Sequence, residues 1–238
     1  MKRFIVVLLL FLPFGVLAQQ VPDNDTIEAE ISNFASDYYY PNLMARYRQG
    51  DSTLTPEEYR RLYYGYMFQP EYNPYASLPE MDSVVMIVLR EPGLELEDYR
   101  KLIAYGNKVL ETDPFNPRLL NLLTYAYGTI GDTDNELRAS ARFEGIITAI
   151  LSSGEGNKEA SPWHILYFSH GEDVMDYLKQ QYRDPIVISR TTEYFPLQKR
   201  DGRTRGYYFD YSRIYTRRPD EPSQPRERRW QINDQLLR

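Results

Sequence analysis

Cysteine is absent from all 238 residues, and that one absence removes several classes of function. No disulfide framework can form, so a cysteine-dense extracellular module is excluded, and an exported bacterial protein fits better. No thiol is available for nucleophilic catalysis, for thiolate metal sites, or for the lipid of a bacterial lipoprotein. Histidine is almost as scarce. His164 and His170 are the only two, and their spacing of six does not match the spacing of about four that puts two ligands on one helix face. There is no Gly-rich phosphate loop and no Gly-x-Ser-x-Gly nucleophile elbow. Beyond Leu17 no apolar run approaches the roughly 20 residues a bilayer span needs. No cofactor and no metal is expected from such a chain.

What the first twenty residues do contain is the pattern of an export signal. Met1-Lys2-Arg3 is charged, Phe4 to Leu17 is apolar, and Val16-Leu17-Ala18 offers a small-residue cleavage site before Gln19-Gln20. The expectation is a signal peptide over 1–18, cleavage after Ala18, no transmembrane anchor afterwards, and a periplasmic or secreted protein. The formal net charge is −6, but it is unevenly spread: residues 198–238 hold 11 basic and 6 acidic side chains. An acidic body with a basic end argues against nucleic acid as the main partner.

The patterning predicts a mostly α protein with a small β part, an α+β arrangement of antiparallel helical hairpins capped by a C-terminal β-hairpin. The expected organisation is a helical body over 19–185, a β-hairpin over 186–216 packed on that body, and an Arg/Pro-rich tail over 217–238. Thr55-Pro56-Glu57-Glu58 is a capping box with proline at the first helical position. Ser77-Leu78-Pro79-Glu80 repeats that logic more weakly and opens a helix ended by Pro92-Gly93. Asp23 to Phe34 is expected to be helical with Ile27, Ile31 and Phe34 on one face. Between Tyr99 and Leu110 the apolar residues step at helical spacing. Asp113-Pro114 stops that helix, and Pro117 starts the next, which ends at Gly131. A third helix carries Phe143, Ile146, Ile147 and Ile150. Ser152 to Asn157 reads as an exposed loop. Trp163 to Phe168 is a short helix or strand, and Gly171 is expected to precede a helix over Glu172 to Gln181. After Pro185 the composition turns to Val, Ile, Thr, Tyr and Phe, and Asp201-Gly202 is a hairpin signal between two strands.

Pro114, Leu120, Leu123, Tyr127 and Gly131 stand at the spacing found at the junction of two tetratricopeptide repeats, which this stretch resembles. The resemblance covers about one and a half repeats. Glu136, Ser140 and Phe143 depart from it, and no match is found one period upstream. The layout as a whole also resembles an exported bacterial family of unknown function. The carrying residues are Tyr39-Tyr40-Pro41-Asn42-Leu43, Tyr63-Tyr64-Gly65-Tyr66, Asp113-Pro114-Phe115-Asn116-Pro117 and Gly206-Tyr207-Tyr208-Phe209. That resemblance implies no activity.

Two sets of residues are candidates for function. Ten of the 22 tyrosines lie between Tyr38 and Tyr75. Such rings pack cores, anchor protein partners or stack on sugars. Tyr39, Tyr40 and Tyr64 are the candidate partner-binding residues, for a protein or peptide, with carbohydrate as the alternative. The second set is His170 with Glu172 and Asp173, a histidine beside carboxylates that could serve a hydrolase as general base. The preferred reading is a non-enzymatic binding or scaffold protein. A hydrolase acting on envelope glycan or peptide is the alternative.

Overall fold

Threonine, asparagine and proline set where the helices begin. The computed structural model describes residues 20–90 and 93–217; the expected leader at 1–18, the stop at Pro92 and the tail from residue 218 lie outside the described residues. Asp23 caps α1 (Asn24–Ser32) with its carboxylate, and α2 (Tyr40–Gln49) starts on Pro41. At α3 (Pro56–Gly65) the expected box is complete: the Thr55 hydroxyl accepts from the Glu58 N–H, and the Glu58 carboxylate accepts from the Thr55 N–H at 2.7 Å. Leu78 rather than Ser77 occupies the N-cap of α4 (Pro79–Val88), so the weaker box does not form. α5 (Leu96–Thr112), α6 (Pro117–Ile130) and α7 (Thr133–Leu151) follow, separated by short turns, with Asn116 and Asp132 as side-chain caps and Gly131 left-handed at φ +83°.

About 53% of the chain is helical, with a small four-stranded sheet near its end. The sheet is β1 (Trp163–His164), β2 (Ile186–Val187), β3 (Thr192–Asp201) and β4 (Thr204–Asp210), in spatial order β1-β4-β3-β2. β1 runs parallel to β4 and the other pairs are antiparallel, so the hairpin forms as expected but is joined by two further strands. Gly202 opens its two-residue turn at φ +57°, a position where a side chain would be strained. α8 (Ser169–Tyr177) lies between β1 and β2.

Three regions differ from the sequence expectation. α8 begins before Gly171 and runs through it, because Phe195 of β3 packs where a Cβ would be, 3.2 Å away. Residues 152–157 are not a wholly exposed loop. Ser153, Gly154 and Gly156 are buried, the Ser153 hydroxyl accepts from the His164 N–H at 2.9 Å, and the Trp163 indole donates to the Gly154 carbonyl at 3.1 Å. In addition, α1 ends before Phe34, which is exposed rather than inward.

From α4 to α7 each helix packs on the next, and the four share one apolar core through Val84, Leu102, Leu119 and Leu123. A second, larger core joins α1 to α3, α7, α8 and the sheet, so the hairpin and the helical body are not separate units. Phe115, in the turn between α5 and α6, sits at its heart beside Tyr47, Tyr63 and Tyr66.

Tyrosine suits this core because its hydroxyl can answer a backbone carbonyl while its ring fills volume. Tyr66 donates to the Thr112 carbonyl at the end of α5 (3.0 Å), Tyr47 to Pro114 (2.7 Å), Tyr72 to Leu166 (2.7 Å) and Tyr64 to His164 (2.9 Å). Those carbonyls belong to a helix end, turns and connecting segments, where backbone acceptors most need partners. The N-terminal segment is tied down in a related way. Arg213 donates to the Pro22 carbonyl at 2.7 Å and Arg60 to the Gln20 carbonyl at 2.9 Å, the two guanidinium groups lying over the Tyr64 ring.

Candidate functional site

His170 follows the turn Tyr167-Phe168-Ser169 and enters α8 with its ring between those of Tyr63 and Tyr167, at 5.7 and 5.0 Å between centroids. It is fully buried. The Tyr63 oxygen accepts the Leu166 N–H at 3.1 Å and lies 2.7 Å from His170 Nδ1. The Tyr63 oxygen is thus shared between the Leu166 amide and the imidazole, and the tautomer of the ring sets the direction of the second bond. Burial pushes the imidazole pKa down to about 3, so the ring stays neutral at physiological pH. Its Nε2 has no hydrogen-bond partner.

The two neighbouring carboxylates face elsewhere. Asp173, one turn along α8, is buried and accepts from Arg118 Nε at 2.9 Å, while exposed Glu172 accepts from the same guanidinium at 3.2 Å. Burial raises the Asp173 carboxyl to about 7 even though Arg118 pulls the other way. Asp113, wholly buried at the end of α5, is raised to about 6 by the same desolvation.

Of the three residues expected to form a catalytic set, His170 is bonded through Nδ1 to Tyr63 and both carboxylates are bonded to Arg118. A general base must come within hydrogen-bond reach of a substrate proton. His170 is spent on Tyr63 beneath the surface, and the carboxylates are spent on Arg118. The shared feature of His170 and Asp173 is burial, and their shifted pKa values come from it. We expect Tyr63→Phe to lower the unfolding free energy by about 2–4 kcal/mol, since it leaves both the Leu166 amide and His170 Nδ1 unpaired in the core. Denaturant titration measures this, and a loss below about 0.5 kcal/mol would mean that water takes over both bonds.

The expected partner-binding tyrosines need a correction. Tyr64 is completely buried, and Tyr40 is 5% exposed with its hydroxyl on the Leu62 carbonyl at 3.3 Å. Only Tyr39, at the N-cap of α2, is half-buried with part of its side chain in solvent. Residues 63–66 span just over one turn of helix, and all four are buried because α3 is packed on by α1, α2 and α7.

A surface feature that the sequence reading passed over lies on α4. Val84 and Ile87 are buried, while Val85, Met86, Val88 and Leu89 are 43%, 72%, 41% and 71% exposed, with Leu96 nearby in sequence at 54%. The signal was present: Val84-Val85-Met86-Ile87-Val88-Leu89 is apolar all round the helix, a pattern for a helix covered on both sides. Among the described residues, no group of three or more His, Asp or Glu side chains is placed to hold a metal ion, and no helix is long and apolar enough to cross a membrane.

Residues 25–218 match the family described as Domain of unknown function (DUF4919). No curated protein and no solved structure matches the chain.

Proposed function

The chain belongs to this family of unknown function, and from that premise we propose that it is a non-enzymatic binding or scaffold protein of the bacterial cell envelope, exported by residues 1–18. The observation that carries this reading is the outer face of α4. Four apolar side chains in solvent within little more than one turn, at the end of a helix whose other side is core, form the kind of patch that marks an interaction surface. α4 is the first helix of the α4–α7 stack, so its outer face lies where a further helix would continue the layer. The tetratricopeptide-like turn at Asp113 to Pro117 supports the same use of the stack, because helical-repeat arrays commonly bind proteins.

The partner that fits is a protein offering an apolar helix with basic flanks. Glu80 and Asp82 on α4 and Glu95 and Glu97 at the start of α5 supply the acidic rim. The double change Met86→Glu, Leu89→Glu is expected to abolish capture of that partner from solubilised envelope. Because both side chains are exposed, stability should stay within about 0.5 kcal/mol of the parent. Capture unaffected by the double change would overturn the assignment of this face. Nothing comparable supports the hydrolase alternative, whose candidate base has no path to a substrate.

A further inference from the structure

The β3–β4 hairpin is a basic projection on an acidic protein. Lys199, Arg200, Arg203 and Arg205 surround its tip, with Asp201 the one acidic residue between them. All four cations are exposed, and none makes an ion pair among the described residues. Elsewhere in the described chain, most arginines of the helical body are matched to carboxylates, to backbone carbonyls or to tyrosine rings.

At the base of this projection, on the sheet face turned away from Phe195 and Phe209, lies a cleft of about 340 Å³. Tyr194 and Tyr208 form its aromatic floor, with ring centroids 4.6 Å apart and planes at 36°. Gly206 makes that floor possible: a Cβ there would stand 2.4 Å from the Tyr194 ring and 2.5 Å from the Phe195 carbonyl. The opposite wall is Asn157 and Lys158. Their loop is fixed to the sheet, because the Tyr208 N–H donates to the Gly156 carbonyl at 2.7 Å and Gly156, at φ +70°, lies flat against Trp163. Lys158 is held by Glu155 at 2.6 Å, so the unpaired positive charge at the cleft comes from Arg203 and Arg205.

We propose that this cleft binds an acidic sugar, a saccharide unit bearing a carboxylate. Its volume suits one or two sugar rings and lies at the small end of ligand sites. Tyrosine rings and phenolic hydroxyls suit the apolar face and hydroxyl groups of a pyranose, and Asn157 adds an amide. The guanidinium group of an arginine suits a planar carboxylate, which it can grip bidentately, and Arg203 and Arg205 both line the cleft. The acidic body argues against a nucleic-acid strand, whose backbone charge would extend well past the hairpin. The site is independent of the α4 face.

Calorimetric titration of the whole protein tests it with four probes: tetragalacturonate, its neutral methyl ester, inorganic phosphate and a penta-aspartate peptide. Tetragalacturonate is expected to bind, with the methyl ester weaker by about tenfold or more, a difference of about 1.4 kcal/mol. Arg203→Glu with Arg205→Glu should lose binding by at least about tenfold with the melting temperature unchanged, and the milder Arg205→Gln should weaken it in the same direction. Tyr208→Leu should weaken the uronate and leave any phosphate binding alone. Phosphate or penta-aspartate binding as tightly as the uronate, or indifference to Tyr208→Leu, would reduce the cleft to a plain anion patch and overturn the proposal. So would the absence of uronate binding at millimolar concentration. The Met86→Glu, Leu89→Glu protein should bind the uronate normally, which separates failure here from failure at α4.

Discussion

Tyr64→Ala is expected to lower the unfolding free energy by about 3–5 kcal/mol, while Tyr39→Ala, at the half-buried N-cap of α2, costs less than about 1 kcal/mol. The two tyrosines look alike in the sequence, and the difference is entirely one of place. The Tyr64 ring is sealed between Tyr63, at 4.9 Å, and the guanidinium groups of Arg60 and Arg213. Its hydroxyl satisfies the His164 carbonyl, the last residue of β1. Removing it opens a cavity, strips one carbonyl of its donor and withdraws the surface on which two arginines lie while they hold residues 20 and 22. Thermal and denaturant unfolding of the two variants side by side measures the contrast. Equal losses would mean that Tyr39 is packed as deeply as Tyr64. There is a practical consequence for binding experiments: loss of a partner in a Tyr64→Ala protein reports unfolding, so it says nothing of a tyrosine surface.

Arg118→Ala should be destabilising in a way that depends on pH. Asp173 is buried, and among the described residues Arg118 is the one cation its carboxylate touches. Breaking a buried pair by removing one partner costs about 3–5 kcal/mol. Arg118 is itself partly in solvent, so about 2–3 kcal/mol is expected near pH 8. The folded-state pKa of Asp173 is raised to about 7 against about 3.9 in an unfolded chain. Between those values the folded protein holds a proton that the unfolded protein releases, so this group favours folding more as the pH falls. Above pH 7 the carboxylate is charged in both states and the burial penalty is fully present. Losing Arg118 raises the folded pKa further. The deficit of the variant should therefore be greatest at about pH 8–9 and shrink towards about pH 5. His170 works in the other direction, since its depressed folded pKa makes acid favour the unfolded chain, but it does so equally in both proteins and drops out of their difference. Adding Asp173→Asn to Arg118→Ala should remove the pH dependence. A deficit of the same size at both ends of the pH range would assign the arginine's contribution to its aliphatic stem.

Much of the helical architecture was readable locally. Thr55 and Glu58, Pro117 with Asn116, and Gly131 act through backbone hydrogen bonds within a few residues, so their sequence signatures survive whatever the rest of the chain does. The hairpin turn was legible for the same reason. The reading failed where the deciding contact came from far along the chain. Gly171 is a helix breaker by propensity, yet it lies inside α8, where Phe195 packs 3.2 Å from the place a Cβ would take. Phe34 was in phase with Ile27 and Ile31, but the helix stops two residues short of it. The glycine-rich stretch after α7 looked like solvent-exposed loop, and it is fastened by Trp163 and His164 instead.

The sequence by itself determined the mostly α character with a small C-terminal β part, the helix starts and stops, and the exclusion of thiol chemistry, since each follows from composition or from short-range backbone physics. Only the tertiary structure decided which tyrosines are core and which reach water, that His170 is sealed from any substrate, and that an apolar face of α4 and a basic aromatic cleft on the hairpin are left facing solvent. The reason is that exposure and pairing are properties of residues brought together across the chain. Tyr63 meets His170 from 107 positions away, and Tyr64 meets the His164 carbonyl from 100. No local pattern encodes that meeting, because it is set by how distant elements pack into one core.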